Sequence, residues 1–247
     1  MSGEFNKRLA VVTGASSGIG LALTQRLLSH GAIVVTLSRH LGELSDLKSV
    51  YGDRINCLLG DVTEQKDLEL LANYARDLGP VDYLVPNAGV AILAGGLERD
   101  AFARNWKVNG LGALNTLAAL RNQLSKSASV VFIGTFLSGL AFTGLGGYIA
   151  SKAALTAQAR TLAVELGREG VRVNVVSPGP TATPIWGSLG MTSTDLDAVA
   201  LAVKQRLLGG KFLEPKAVAD AILFMLSDAS RGIHGQDIVV DGGYTLS

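Results

Sequence analysis

The sequence predicts a doubly wound α/β protein: one parallel sheet of seven strands with helices on both faces. Three observations carry that expectation. Short β-branched runs recur along the chain, longer Ala/Leu-rich or amphipathic segments separate them, and glycine gathers at the joints. Glycine accounts for 30 of 247 residues, well above a usual share of about 7%, and the excess falls at segment boundaries with no repeating period.

The strand runs, in order, are residues 9–13, 33–37, 55–59, 83–85, 130–133, 171–176 and 238–240. Helical segments fall between them at residues 19–30, 64–78, 98–124, 148–169 and 216–227, with a further one at 194–208. No linker or low-complexity tract interrupts the alternation, so residues 1–247 read as a single domain. Only residues 183–215 lack a clear place in it, and a long excursion before the last strand of such a sheet is expected to be a substrate loop or lid.

Composition narrows the function classes. With 48% hydrophobic and 17% charged residues, the chain has the opposite of the disorder signature. Lys plus Arg number 22 against 21 Asp plus Glu, a net charge of +1, which leaves no basic excess for nucleic acid or anionic lipid. A single cysteine, Cys57, excludes an intrachain disulfide, and His30, His40 and His234 form no cluster of zinc-ligand spacing, so neither a metal nor an oxidising compartment is expected. Lys7 and Arg8 precede an apolar run that is too short for a secretory signal and turns to glycine; a cytoplasmic protein is expected. Residues 127–151 carry no charge and are long enough to cross a bilayer. Gly134, Gly139, Gly144, Gly146 and Gly147 dilute the stretch, which reads instead as a buried strand followed by a glycine-rich loop.

Thr13-Gly14-Ala15-Ser16-Ser17-Gly18-Ile19-Gly20 follows the first strand and opens a helix. There Gly14 allows a tight turn, Gly18 lets backbone approach a pyrophosphate and Gly20 permits close helix-to-strand packing, while the helix N-terminus supplies N–H groups and partial positive charge. The spacing is G-x-x-x-G-x-G rather than G-x-G-x-x-G. The same residues fit G-x-S-x-G, the nucleophile elbow of serine hydrolases, for which His234 would have to serve as the base. At the end of the second strand, Ser38-Arg39-His40 stands where such a fold meets the adenosine ribose. An acidic residue there would hydrogen-bond the 2′-hydroxyl of NAD, whereas Arg39 suits a 2′-phosphate; NADP(H) is favoured, with NAD(H) the alternative.

Tyr148 and Lys152 lie four residues apart in a helical segment and so share one face. A tyrosine ordinarily loses its proton near pH 10, and a neighbouring ammonium is expected to bring it toward the range of an acid/base catalyst.

In combination these features resemble the short-chain dehydrogenase/reductase family over essentially the whole chain. The matching residues are 13–20, Asp61-Val62, Asn87-Ala88-Gly89, Asn109, Tyr148 with Lys152, Pro178-Gly179 with Thr183, and Asp241-Gly242-Gly243. The resemblance implies a seven-stranded Rossmann sheet, a homotetramer or homodimer, and hydride transfer between nicotinamide and a carbonyl or alcohol. It implies cofactor contacts at Gly14, Ser16, Ser17, Gly18, Ile19, Gly20, Ser38 and Arg39. Further contacts follow at Asp61 and Val62 on adenine, at Asn87, Ala88 and Gly89 lining the cleft, and at Pro178, Gly179 and Thr183, with Thr183 near the nicotinamide amide or the phosphates. Tyr148, Lys152, Thr135 and Asn109 form the implied catalytic set, with Asn109 holding a water of the proton relay and Lys152 also bonding the nicotinamide ribose.

Two positions depart from the family pattern. Pro86 stands where a second asparagine is common, and Thr135 stands where the substrate-orienting serine lies thirteen positions before the tyrosine. Threonine keeps the hydroxyl and adds a methyl group; Ser138, nearby, is the alternative. Phe136, Leu137, Phe142, Trp186, Leu189 and Met191 are expected around the substrate, and no Arg or Lys occurs between Thr183 and Ala202. A small neutral ketone, aldehyde or secondary alcohol is therefore expected. A cofactor-binding regulatory module without turnover is the reading from a different class.

Overall fold

The structure is a computed structural model, described here for residues 3–246. Seven strands are present: β1 (Leu9–Thr13), β2 (Ile33–Ser38), β3 (Ile55–Leu59), β4 (Val81–Val85), β5 (Leu124–Ile133), β6 (Arg172–Pro178) and β7 (Asp237–Val240). They form one sheet in the order β3-β2-β1-β4-β5-β6-β7, every neighbouring pair parallel. The helices are α1 (Gly18–Ser29), α2 (Leu44–Tyr51), α3 (Gln65–Leu78), α4 (Arg99–Trp106), α5 (Ala113–Leu120), α6 (Gly146–Gly167), α7 (Ser193–Arg206) and α8 (Pro215–Leu226). All seven strand runs read from the sequence are strands.

Alternation along each strand divides the core into two layers, because successive side chains leave opposite faces of a sheet. Leu9, Val11, Val130 and Phe132 pack with Leu68 and Leu71 of α3, Leu117 of α5 and Leu155 of α6. Ala10, Val12, Val131 and Ile133 face the other way, onto Leu23 and Leu27 of α1 and Ile222 and Met225 of α8. Buried on both faces, these strands read as nearly continuous apolar runs.

The chain departs from the expected elements in two places. Residues 98–124 do not form one helix: α4 gives way to a π-helical segment, Lys107–Gly112, then to α5 and a 3₁₀ turn, Arg121–Gln123, before β5 begins at Leu124. The apolar periodicity runs through the break and conceals it. Its signal lies in Gly110 and Gly112, poor helix formers two residues apart. A Cβ on Gly110 would lie 2.2 Å from the Trp106 ring, so the indole occupies the space that a side chain would need. The second departure is α2, which buries only Leu44 and so has no apolar stripe to read. The uncharged stretch 127–151 is β5, a loop and the start of α6. Among the described residues no helix is long and apolar enough to cross a membrane.

Strand order reverses between β1 and β4, and at such a switch point the loops leaving the two strands part to make a crevice. Here the parting is held to a fixed width. Asn87, two residues past β4, donates from Nδ2 to the carbonyls of Thr13 (3.0 Å) and Gly14 (2.9 Å), and the Ala88 N–H donates to Thr13 Oγ1 at 3.2 Å. Gly14 adopts φ +64°, and a Cβ there would lie 2.6 Å from Ala88 Cα, so this crossing needs glycine for its conformation and its bulk alike.

Replacing Asn87 by Ala strands two carbonyls at this crossing. The Asn87→Ala protein is expected to lose about 1–3 kcal/mol of stability, read as a lower urea midpoint with an unchanged m-value.

Candidate active site

The crevice opens into a cavity of about 600 Å³ above the C-terminal ends of the strands, within the size range of small-molecule sites. One side is built by the glycine loop, the ends of β2 and β3, and the loop after β4. It presents Gly14, Ser16, Ser17, Gly18 and Ile19, then Ser38, Arg39, Asp61 and Val62, then Asn87, Ala88 and Gly89. The other side presents Thr135, Tyr148, Lys152, Pro178, Gly179 and Thr183. The structure thus brings eighteen of the twenty predicted site residues to the lining of one cavity.

Gly20 and Asn109 are the exceptions. Gly20 lies beneath the loop, where a Cβ would fall 2.4 Å from the Gly14 carbonyl oxygen and 2.5 Å from Asn87 Nδ2; it serves packing and does not face the cavity. Asn109, fully buried on the π-helical segment, is a brace. Its Oδ1 accepts from Val90 N–H at 2.9 Å, and its Nδ2 donates to Val90 O at 2.9 Å and to Ser151 Oγ at 3.0 Å. Ser151 in turn donates to the Tyr148 carbonyl at 2.7 Å. Both amide hydrogens of Asn109 are therefore spent on tying the β4 loop to the first turn of α6, and neither can be donated to a relay water.

Ser17 caps α1 without a side-chain hydrogen bond, and the first turn holds no acidic residue, so the helix N-terminus keeps the donors that an anion needs. Gly18 adopts φ +57°, and Thr183 closes over it from the opposite wall: a Cβ on Gly18 would meet Thr183 Cγ2 at 3.1 Å. Ser38 is buried and its hydroxyl accepts from Ala15 N–H at 3.0 Å, fixing the glycine loop to β2. Asp61 Oδ1 accepts from Thr63 N–H at 2.9 Å, a local turn that leaves the second oxygen uncommitted to that turn. Arg39 is exposed at the cavity mouth.

Tyr148 and Lys152 stand one turn apart on α6 and both face the cavity. Burial raises the Tyr148 phenol above its usual range, opposed by a hydrogen bond with Thr135. This corrects the expectation that Lys152 pulls the phenol down. The ammonium is turned toward β5, where Nζ donates to the Ile133 carbonyl at 2.8 Å, and burial lowers its own pKa to about 8. Thr135 is buried on the cavity wall beside Tyr148, while Ser138 is exposed and off that wall.

The hydrolase alternative fails on topology. Ser16 follows the C-terminal end of β1, whereas His234 precedes β7 and lies beside the far end of α6, its Nδ1 3.9 Å from a Cβ placed on Gly167. In a parallel sheet those are opposite edges, so the histidine cannot act on the serine.

A glycine loop at a strand-order reversal, facing a Tyr–Lys pair across one cavity, defines an oxidoreductase site of the dinucleotide-using class. Comparison with known proteins gives the family. Residues 14–245 match the family model described as enoyl-(acyl carrier protein) reductase. The sequence is 32% identical to carbonyl reductase (NADPH) 2 of Sus scrofa over 100% of both chains. It is 38% identical to a region of glycine betaine reductase ATRR of Emericella nidulans, covering 91% of this chain and 18% of that longer protein. Its fold superposes with a TM-score of 0.90, at 27% identity and 99% coverage of both chains, on a short-chain dehydrogenase/reductase of Brucella melitensis described as a glucose/ribitol dehydrogenase. The chain belongs to the short-chain dehydrogenase/reductase family.

Lys152 lacks a carboxylate partner among the described residues, so its burial opposes folding. Below pH 8 the folded state carries the whole penalty; from about pH 8 to 10.5 the unfolded chain keeps a proton that the folded chain has released, and stability rises with pH. Lys152→Met is therefore expected to be about 1–3 kcal/mol more stable than the parent at pH 7, with the gap closing toward pH 10.5 in denaturant titrations.

Proposed function

We propose that the protein transfers hydride between NADP(H) and a carbonyl or secondary alcohol of a small neutral substrate, with Tyr148 as general acid/base. The observation that carries this reading is the shared wall: Tyr148, Lys152 and Thr135 open on the same cavity as the glycine loop and Arg39. Residues 183–215 would act as the substrate loop or lid, folded as a 3₁₀ turn, Pro184–Leu189, and α7.

The residues fit the dinucleotide. The uncapped start of α1 suits a pyrophosphate, and a threonine opposite Gly18 is close enough to enclose it. Arg39 forms no salt bridge among the described residues, which supports a 2′-phosphate as its partner. When bound, the nicotinamide supplies the hydride for reduction of a carbonyl carbon, or accepts it in the reverse direction.

The protein's own groups handle the oxygen. In reduction, the Tyr148 hydroxyl gives its proton to the substrate oxygen, and the Thr135 hydroxyl orients that oxygen. Burial keeps the phenol protonated through neutral pH, which suits an acid. Lys152, with a pKa near 8, carries charge at neutral pH and, anchored on the Ile133 carbonyl at the cavity wall, would bond the nicotinamide ribose. Asn109 acts one step removed, by holding the turn of α6 that carries the phenol.

Fluorescence titration with NADPH and NADH tests the cofactor, and a carbonyl panel followed at the nicotinamide absorbance tests turnover. NADPH is expected to bind more tightly, and Arg39→Ala to weaken NADPH by about 10- to 100-fold while leaving NADH unchanged. Tyr148→Phe is expected to cut turnover by about 100-fold or more and to retain NADPH binding. Wild-type turnover by Tyr148→Phe refutes the acid assignment; NADPH binding with no consumption across the panel leaves the non-catalytic module.

A further inference from the structure

The half of the cavity beyond Thr135 has a chemistry of its own. Its walls come from the loop after β5, the segment after β6, α7 and the C-terminal turn, and none of the side chains from these segments that line it is charged. The charged or imidazole groups lining the whole cavity are Arg39, His40, Asp61 and Lys152, three of them at the ends of β2 and β3. Three of the polar groups on the far walls are already used. Trp186 Nε1 donates to Thr181 O at 2.8 Å, Thr181 Oγ1 to Gly179 O at 2.9 Å and Ser188 Oγ to Ile185 O at 2.6 Å.

Tyr244 completes this surface from the far end of the chain. The residue is 5% exposed. Its ring meets Phe136 edge to face at 5.0 Å, and the Arg206 guanidinium covers it at 4.3 Å from the centroid. The turn that carries it is pinned by Asp241, whose carboxylate accepts from Gly243 N–H at 3.0 Å, Thr245 N–H at 2.9 Å and Thr245 Oγ1 at 2.7 Å. Although burial pushes the Asp241 carboxyl up, these bonds hold it below its ordinary range. Tyr244 is thus a rigid aromatic wall rather than a mobile terminal residue.

We infer that Tyr244, backed by Phe136, determines specificity by selecting carbonyl compounds built on a hydrocarbon or aryl body and rejecting polyhydroxylated ones. This rests on the reading of Tyr148 and Thr135 as the groups that receive the substrate oxygen. A ketone's one polar atom goes to those two hydroxyls and the rest of the molecule meets carbon. A polyhydroxylated carbonyl would place further hydroxyls against the Tyr244 and Phe136 rings and beside the committed donors of Trp186, Thr181 and Ser188, leaving those hydroxyls desolvated without partners. A single apolar contact of this kind is worth about 10- to 200-fold in discrimination.

Acetophenone and dihydroxyacetone, titrated by calorimetry into the protein saturated with NADP⁺, separate binding from turnover. Acetophenone is expected to bind at least about tenfold more tightly. Tyr244→Ala is expected to lose about tenfold for acetophenone, with dihydroxyacetone and NADP⁺ affinities unchanged, a pattern that a general loosening of the fold would not give. Phe136→Leu is expected to weaken acetophenone selectively in the same way and stands in if Tyr244→Ala does not fold. Equal or tighter binding of dihydroxyacetone by the parent protein overturns the inference, as does a folded Tyr244→Ala that binds acetophenone with parental affinity. Acetophenone binding without reduction by NADPH counts against the hydride-transfer reading alone and leaves the selectivity of the wall standing.

Discussion

The crossing of β1 and β4 is the constraint on which the rest of the molecule depends. Two strands that run side by side must send their chains apart at the top of the sheet, and the gap between them is where a ligand enters. Asn87 sets that gap by donating to both the last residue of β1 and the first of the glycine loop. Ala88 fills the space over Gly14. The glycine loop is therefore positioned from outside itself, with the Gly14 N–H given to the Leu37 carbonyl and the Ala15 N–H to Ser38 Oγ.

The opposite wall is organised by a second crossing, between the loop after β4 and the first turn of α6. Asn109 spans it with bonds to Val90 and Ser151. These two asparagines, one on each side of the same loop, hold the dinucleotide side and the chemical side in register. The electrostatics follow from this close assembly. Burying a phenol and an ammonium together raises one pKa and lowers the other, so both groups drift toward neutrality.

The fold was legible in the sequence to the extent that its signals are local. Every strand contains a short apolar run that can be read directly, and Tyr148 with Lys152 is a spacing that any helix converts into a shared face. The glycine loop could be read because its position after a strand carries the meaning. What escaped was set by contacts between distant segments. Asn87 looks like turn chemistry until the β1 carbonyls are placed beside it. Tyr244 lies 108 positions from Phe136, and its only sequence signal is an aromatic residue following the Asp241-Gly242-Gly243 turn. The π-helical break in residues 98–124 was hidden because hydrophobic periodicity tolerates it, and the direction of the Tyr148 shift depends on where the lysine points.

That break has a consequence for how this protein can change over generations. A π-helical turn holds one residue more than the α-helical turn it replaces, and here that surplus keeps Asn109 aimed at Val90. A lineage that lost a single codon anywhere within residues 107–112 would gain a smoother helix by every local measure and rotate its asparagine away from its partners. The length of this segment thus matters to the aim of Asn109 independently of the identity of most residues in it.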